Sequence, residues 1–122
     1  MGREMIEIGK RGEEIAVALL KRNNYRITAV NFKTPFGEID IVAEKGGFTV
    51  FVEVKTRVSS SLGPPSLSVT RAKERHIIRN AVYYLKKHRL LDVPCRIDVV
   101  SVKLDRGYMA EKTEIIENAI QA

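Results

Sequence analysis

The sequence predicts a single α/β domain with a central mixed β-sheet flanked by helices, and two observations carry that expectation. Apolar residues recur at helical spacing in two long stretches and at strand-like spacing in several short ones. The two kinds of stretch are interleaved as helix, three strands, helix, strand, which places the strands in one sheet with helices over it. With 122 residues, 44% hydrophobic and 30% charged, the chain can bury one core and is too short for two, so residues 1–122 are read as one domain.

Taken in order, Ile8, Ile15, Ala16, Leu19 and Leu20 set a helix over 6–23, closed by Lys21, Arg22 and the pair Asn23-Asn24. Tyr25 to Phe32 is strand-like and runs into a turn at Pro35. Glu38–Ala43 and Phe48–Thr56 are two more strands, joined by Glu44-Lys45-Gly46-Gly47, a hairpin signal. Val58 to Ser66, rich in Ser, Gly and Pro, is expected to be a mobile loop beside that hairpin. Thr70 is placed to cap a helix that runs to about His88, with Ile77, Ile78, Ala81 and Leu85 as its buried stripe. Arg96–Leu104 is a strand, and Asp105-Arg106-Gly107 a turn. Glu114–Ile120 fits a strand or a short helix equally well, so residues 108–122 stay unassigned. Tyr25, Phe32, Phe48, Tyr83 and Tyr84 are read as core, and Cys95 as a small buried residue opening a strand.

The formal net charge is +6 and the sequence pI about 9.6, a balance that favours polyanionic partners, nucleic acid above all. With no Trp, base stacking is not expected to dominate. No apolar run approaches the ~20 residues of a membrane span, so no membrane partner is expected. One cysteine cannot form an internal disulfide, and no hydrophobic leader follows the charged start; both favour a cytoplasmic setting.

The chemistry gathers on the hairpin. Side chains two apart on a strand share a face, so Glu38 and Asp40 lie together while Ile39 and Ile41 point away. Glu53 and Lys55 share a face in the same way. If Gly46-Gly47 are the turn residues, Lys45 pairs with Phe48, and counting back puts Asp40 opposite Glu53 and Glu38 opposite Lys55. Facing carboxylates repel unless a cation lies between them, and hard oxygen donors suit Mg²⁺. Lys55 would then hold a water or stabilise phosphate charge, with Glu38 as a supporting residue that orients it. The plainer alternative is the solvated face of an exposed hairpin. Phe51, on the face of Glu53 and Lys55, argues instead for a partly enclosed cleft.

Gly37-Glu38-Ile39-Asp40-Ile41-Val42-Ala43 and Val50-Phe51-Val52-Glu53-Val54-Lys55-Thr56-Arg57 together closely resemble the YraN family of bacterial proteins. That family looks like a branch of the PD-(D/E)xK nuclease superfamily, related in fold to archaeal Holliday junction resolvases. Gly9-Lys10-Arg11-Gly12-Glu13 with Ala16, then Asn31, Lys73, Ala81, Tyr84-Leu85 and Arg96–Val100 extend the resemblance over most of the chain. It implies a restriction-endonuclease-like fold, with Asp40 and Glu53 as metal-binding acids, Lys55 as the motif lysine and Glu13 as the helical acid that completes the site. From its position alone, Glu13 is equally an acid in the first turns of a helix, where the dipole favours it. Ile39 stands where the superfamily signature has proline.

Outside the hairpin, Arg57 extends the site strand and Lys73 and Arg71 begin a basic helix, so these three are the candidate phosphate contacts. An ordinary solvated helix face explains the helical cations as well. His76 and His88 lack a second ligand at metal spacing and are read as incidental, and Asp98 as a structural hydrogen-bond or ion-pair partner. The expected function is a Mg²⁺-dependent endonuclease (Mn²⁺ as substitute) acting on DNA, with branched or recombination intermediates as substrates and a homodimer as the form that cuts two strands. The alternative is a nucleic-acid-binding or scaffold protein that keeps the fold with little catalysis.

Overall fold

The computed structural model describes residues 2–59 and 70–120. Helix α1 (Gly2–Arg22) leads into strands β1 (Arg26–Thr34), β2 (Gly37–Lys45) and β3 (Phe48–Val58); helix α2 (Arg71–Lys87) precedes β4 (Cys95–Leu104) and β5 (Ala110–Ile120). The five strands stand in the sheet in chain order. All neighbours are antiparallel except β3 and β4, which run parallel, and a parallel neighbour needs the crossover that α2 supplies. The expected Val58–Ser66 loop falls, from residue 60 onward, outside the described residues.

The central strands are apolar on both faces because each face meets a helix. Ala16 and Leu20 of α1 pack on Ile41, Ala43, Val50, Val52, Val100 and Val102. Ala81, Tyr84 and Leu85 of α2 pack on Val42, Phe51 and Ile97 from the other side. Burying each of the larger of these side chains stabilises the fold by about 1.5–3 kcal/mol. Thr70 caps α2 as expected, its hydroxyl accepting the Lys73 N–H at 3.2 Å. Gly46 (φ 56°) and Gly47 (φ 84°) both take the left-handed conformation that a tight hairpin turn needs, and the register is the expected one from Lys45↔Phe48 to Ile41↔Val52.

The C-terminal segment is a strand. Its period-two signal is interrupted by an irregularity opposite Asp98, where the β4–β5 register shifts between Ile97 and Val99 and Asn118 turns left-handed (φ 50°). Asp98 is fully buried and holds this point together. Its carboxylate accepts from the Tyr25 hydroxyl at 2.7 Å, from Arg96 Nε at 3.1 Å and from the Asn118 N–H at 2.8 Å. Burial and the adjacent Asp98 push the Tyr25 phenol up to about 12. Tyr25 and Tyr84 are core as expected. Phe48, at the hairpin tip where no helix reaches, is exposed, and so is Cys95 at the first position of β4.

Asp98→Ala leaves Arg96 without its closest carboxylate and the Asn118 N–H without its acceptor, and is expected to cost about 3–5 kcal/mol in urea unfolding. Tyr25→Phe, which removes one hydrogen bond from the same group, should cost only about 0.5–1.5 kcal/mol.

Candidate functional site

Pairing between β2 and β3 stops at Ile41↔Val52 although both strands run on. Beyond that point β2 pairs only with β1, as far as Thr34↔Gly37, and β3 only with β4, as far as Val58↔Leu104. The strands therefore fork at Asp40 and Glu53. Asp40 Oδ2 accepts the Val54 N–H at 2.8 Å and so replaces the ladder partner that β3 has lost. The Glu53 carboxylate lies close enough to Asp40 to raise its proton affinity, so the two acids meet as expected, though across a fork and not as a ladder pair.

The Glu38–Lys55 pairing is not what the structure holds. Glu38 receives Lys33 Nζ at 2.8 Å, while Lys55 Nζ lies 3.9 Å from Glu53 Oε1. Strict alternation also fails here. Ile41 packs under α1 but Ile39 under α2, and on β1 Ala29 and Phe32, three apart, both face α2. Asn31 lies between them with φ 54°, a left-handed residue inside a strand that re-aims its neighbours. The result brings Glu38 toward α1, where carboxylate oxygens of Glu13, Glu38 and Asp40 lie within 4.8 Å of one another.

Glu13 reaches this cluster because the residue before it has no side chain. A Cβ on Gly12 would strike the Thr56 side chain, 2.7 Å from Cγ2, so α1 can lie against β3 only with glycine there. The Asn31 side chain lies close enough to Glu13 to favour its charged form, so one residue both kinks β1 and neighbours the helical acid.

Burial raises all three central acids above the usual carboxylate range. Asp40 is pushed up to about 7, by burial first and then by Glu53, against the Val54 N–H that favours its charged form. Glu53 is raised by burial, with Lys55 and Lys73 opposing. Glu13 is raised by burial and further by Asp40 and Glu38. Crowded, half-buried carboxylates of this kind offer hard oxygen donors, the set that suits Mg²⁺, Mn²⁺ or Ca²⁺ and not a soft metal.

Two clefts meet at Asp40. One, about 380 Å³, runs along α1 past Ile8, Glu13, Thr56 and Arg57. The other, about 370 Å³, runs toward α2 past Glu38, Glu53, Lys73 and His76. Arg57 and Lys73 thus lie one in each cleft, whereas Arg71, exposed at the start of α2, lines neither. His76 lines the second cleft beside the acids. The available signal was its position three residues after Lys73, on the same side of the helix. His88 instead stacks on Tyr84, ring centres 4.0 Å apart.

A single α/β domain with a five-stranded mixed sheet, a helix on either face and an acidic fork between two central strands is consistent with the restriction-endonuclease-like fold. The chain belongs to the family described as Uncharacterised protein family UPF0102, the YraN family of the sequence resemblance, whose profile matches residues 12–102. It is 46% identical over 114 residues to a UPF0102 protein of Geobacter metallireducens, covering 93% of this chain and 92% of the relative. A UPF0102 protein of Geotalea uraniireducens is 45% identical over 93% of this chain and 89% of its own. One of Thermodesulfovibrio yellowstonii is 42% identical over 93% and 96%. The matched span contains Glu13, Asp40, Glu53 and Lys55.

Two outcomes are expected from this geometry. Because the folded state holds the Asp40 proton more tightly than the unfolded chain, its contribution to stability is full below the ordinary aspartate range and is lost as pH rises through about 7. In chelator, urea unfolding should therefore show wild type losing stability from pH 5.5 to 8, and Asp40→Asn should remove roughly 1–3 kcal/mol of that loss. Gly12→Ala forces α1 off Thr56 and should cost about 1–3 kcal/mol in the same assay.

Proposed function

We propose that this protein is a metal-dependent nuclease that hydrolyses DNA phosphodiesters, with branched or recombination intermediates as substrates. The observation that supports it best is the fork, where Glu13, Glu38, Asp40 and Glu53 converge beside Lys55 and two clefts carrying Arg57 and Lys73 open. Glu13, Asp40 and Glu53 are the proposed ligands of Mg²⁺, or Mn²⁺ in its place, and Glu38 lies close enough to serve as a further oxygen donor. Such an ion supplies Lewis-acid stabilisation of phosphate charge and relieves the repulsion among the acids.

The chain's own groups do the rest. Arg57 and Lys73 draw the backbone into the clefts and neutralise flanking phosphates. Lys55, held near Glu53, orients the attacking water and donates to a phosphate oxygen as negative charge builds on it. Lys33 keeps Glu38 at the mouth of the site. Cutting two strands of a junction symmetrically requires two such sites, and hence a homodimer.

The test is cleavage of linear, nicked and four-way DNA in Mg²⁺ or Mn²⁺, beside Asp40→Asn and Lys55→Ala. Each variant should lose about 100-fold or more in rate, the effect of removing one preorganised charge-stabilising group. Equal cleavage by all three proteins would reject the assignment. Tight, salt-sensitive binding without cleavage would favour a nucleic-acid scaffold. Mg²⁺ at about 100 times its dissociation constant should also stabilise wild type by ~2.7 kcal/mol and Asp40→Asn by much less, read as a shift in thermal unfolding.

A further inference from the structure

Helix α2 carries a second surface that the fork does not use. Phe36, at the tip of the β1–β2 turn, is 43% exposed, and Val82 of α2 is 37% exposed. With Tyr83, Arg75, Arg79 and Lys86 they line an open hollow of about 580 Å³. Phe36 and Tyr83 meet edge to face at 6.4 Å and 83°, and the Arg79 guanidinium sits 5.3 Å from the Phe36 ring centre. The turn is fastened in place: the Thr34 hydroxyl bonds the Asn80 side chain, and Gly37 (φ 149°) lies so close to His76 that any Cβ would come within 2.7 Å of its ring. An aromatic left exposed on a turn this firmly anchored is displayed, not merely unburied.

We propose that this hollow binds an unpaired nucleobase of a single-stranded DNA segment, with its phosphates on Arg75, Arg79 and Lys86. Aromatic rings beside cations, with no acid among the described lining residues, form the combination that stacks bases and tracks a backbone without reading sequence. A paired base keeps its faces inside the duplex stack and cannot enter a concavity. An acidic peptide would satisfy the cations but gives the rings no planar partner. The position also fits the fork: Phe36, in the turn, and Asp40, in β2, are four residues apart, at most ~13 Å along the chain. That is roughly two to four nucleotides at ~3.4 Å per stacked nucleotide, or more when unstacked. The inference rests on the phosphodiester reading and narrows its substrate to DNA with an unpaired segment beside the cut.

The chain has no tryptophan, so Phe36→Trp places a single indole in the hollow. In the Asp40→Asn background, which removes cleavage from the measurement, a single-stranded oligothymidylate should quench that indole and a blunt duplex should not. At fixed salt, Phe36→Ala should weaken single-strand binding by about 5- to 100-fold, the loss of one stacked base, and leave duplex binding unchanged. Phe36→Leu, which keeps apolar bulk without a ring, should bind as poorly as Phe36→Ala. Equal affinity for single strand and duplex, indifferent to Phe36, would overturn the proposal, and so would quenching by a glutamate-rich peptide but not by DNA. Because these readings require no cleavage, their failure is distinct from the failure of wild type to cut branched DNA.

Discussion

The arrangement around Asp40 depends on one hydrogen bond, from the Val54 N–H to Asp40 Oδ2. In an uninterrupted hairpin that N–H would face a backbone acceptor on the neighbouring strand. Once the ladder ends at Ile41↔Val52, a buried donor is left over, and a side-chain oxygen that follows directly in β2 is one group able to take it. Asp40 therefore has a structural duty that fixes its position before any chemistry. The same bond favours the charged carboxylate, whereas burial and Glu53 favour the protonated one, and the balance lies on the protonated side.

Two small residues extend that constraint to the rest of the fork. Gly12 sets how closely α1 approaches β3, and so whether Glu13 arrives. Asn31 takes a left-handed conformation that a branched side chain would resist, and its amide favours the charged form of Glu13. Neither is an acid of the cluster, yet each bears on where Glu13 sits or how it is charged. The acids thus come from three separate segments, tied through backbone shape more than through contacts among themselves.

Much of this was legible in the residues, and what was not has a physical cause. The hairpin register followed from Gly46-Gly47, and the two strands from their Ile, Val and Phe content. The meeting of Asp40 with Glu53 followed from that register, but the fork did not: periodicity carries no mark of where a ladder stops. Glu38 was misplaced opposite Lys55 because that pairing extends a ladder which ends at Ile41↔Val52. The ambiguity at Glu114–Ile120 has its origin in the irregularity at Asn118, which leaves Ile115, Ile116 and Ile120 at spacings that also suit a helix. His76 was passed over because spacing along its own helix does not show which strands the helix will cover.

The order of strands in the sheet has a consequence for how the molecule comes into being. Neighbours in space are neighbours in sequence, β1 beside β2 beside β3, and the long-range closure is deferred to the α2 crossover. Contacts of short sequence separation form early because little chain entropy is lost in closing them. The meander that contains Asp40, Glu53 and Lys55 is thus complete as a chain segment before β4 and β5 leave the ribosome. Glu38, Asp40 and Glu53 all belong to that meander, whereas Glu13 joins them only when α1 lies against β3, so the fourth like charge is added by a separate packing event.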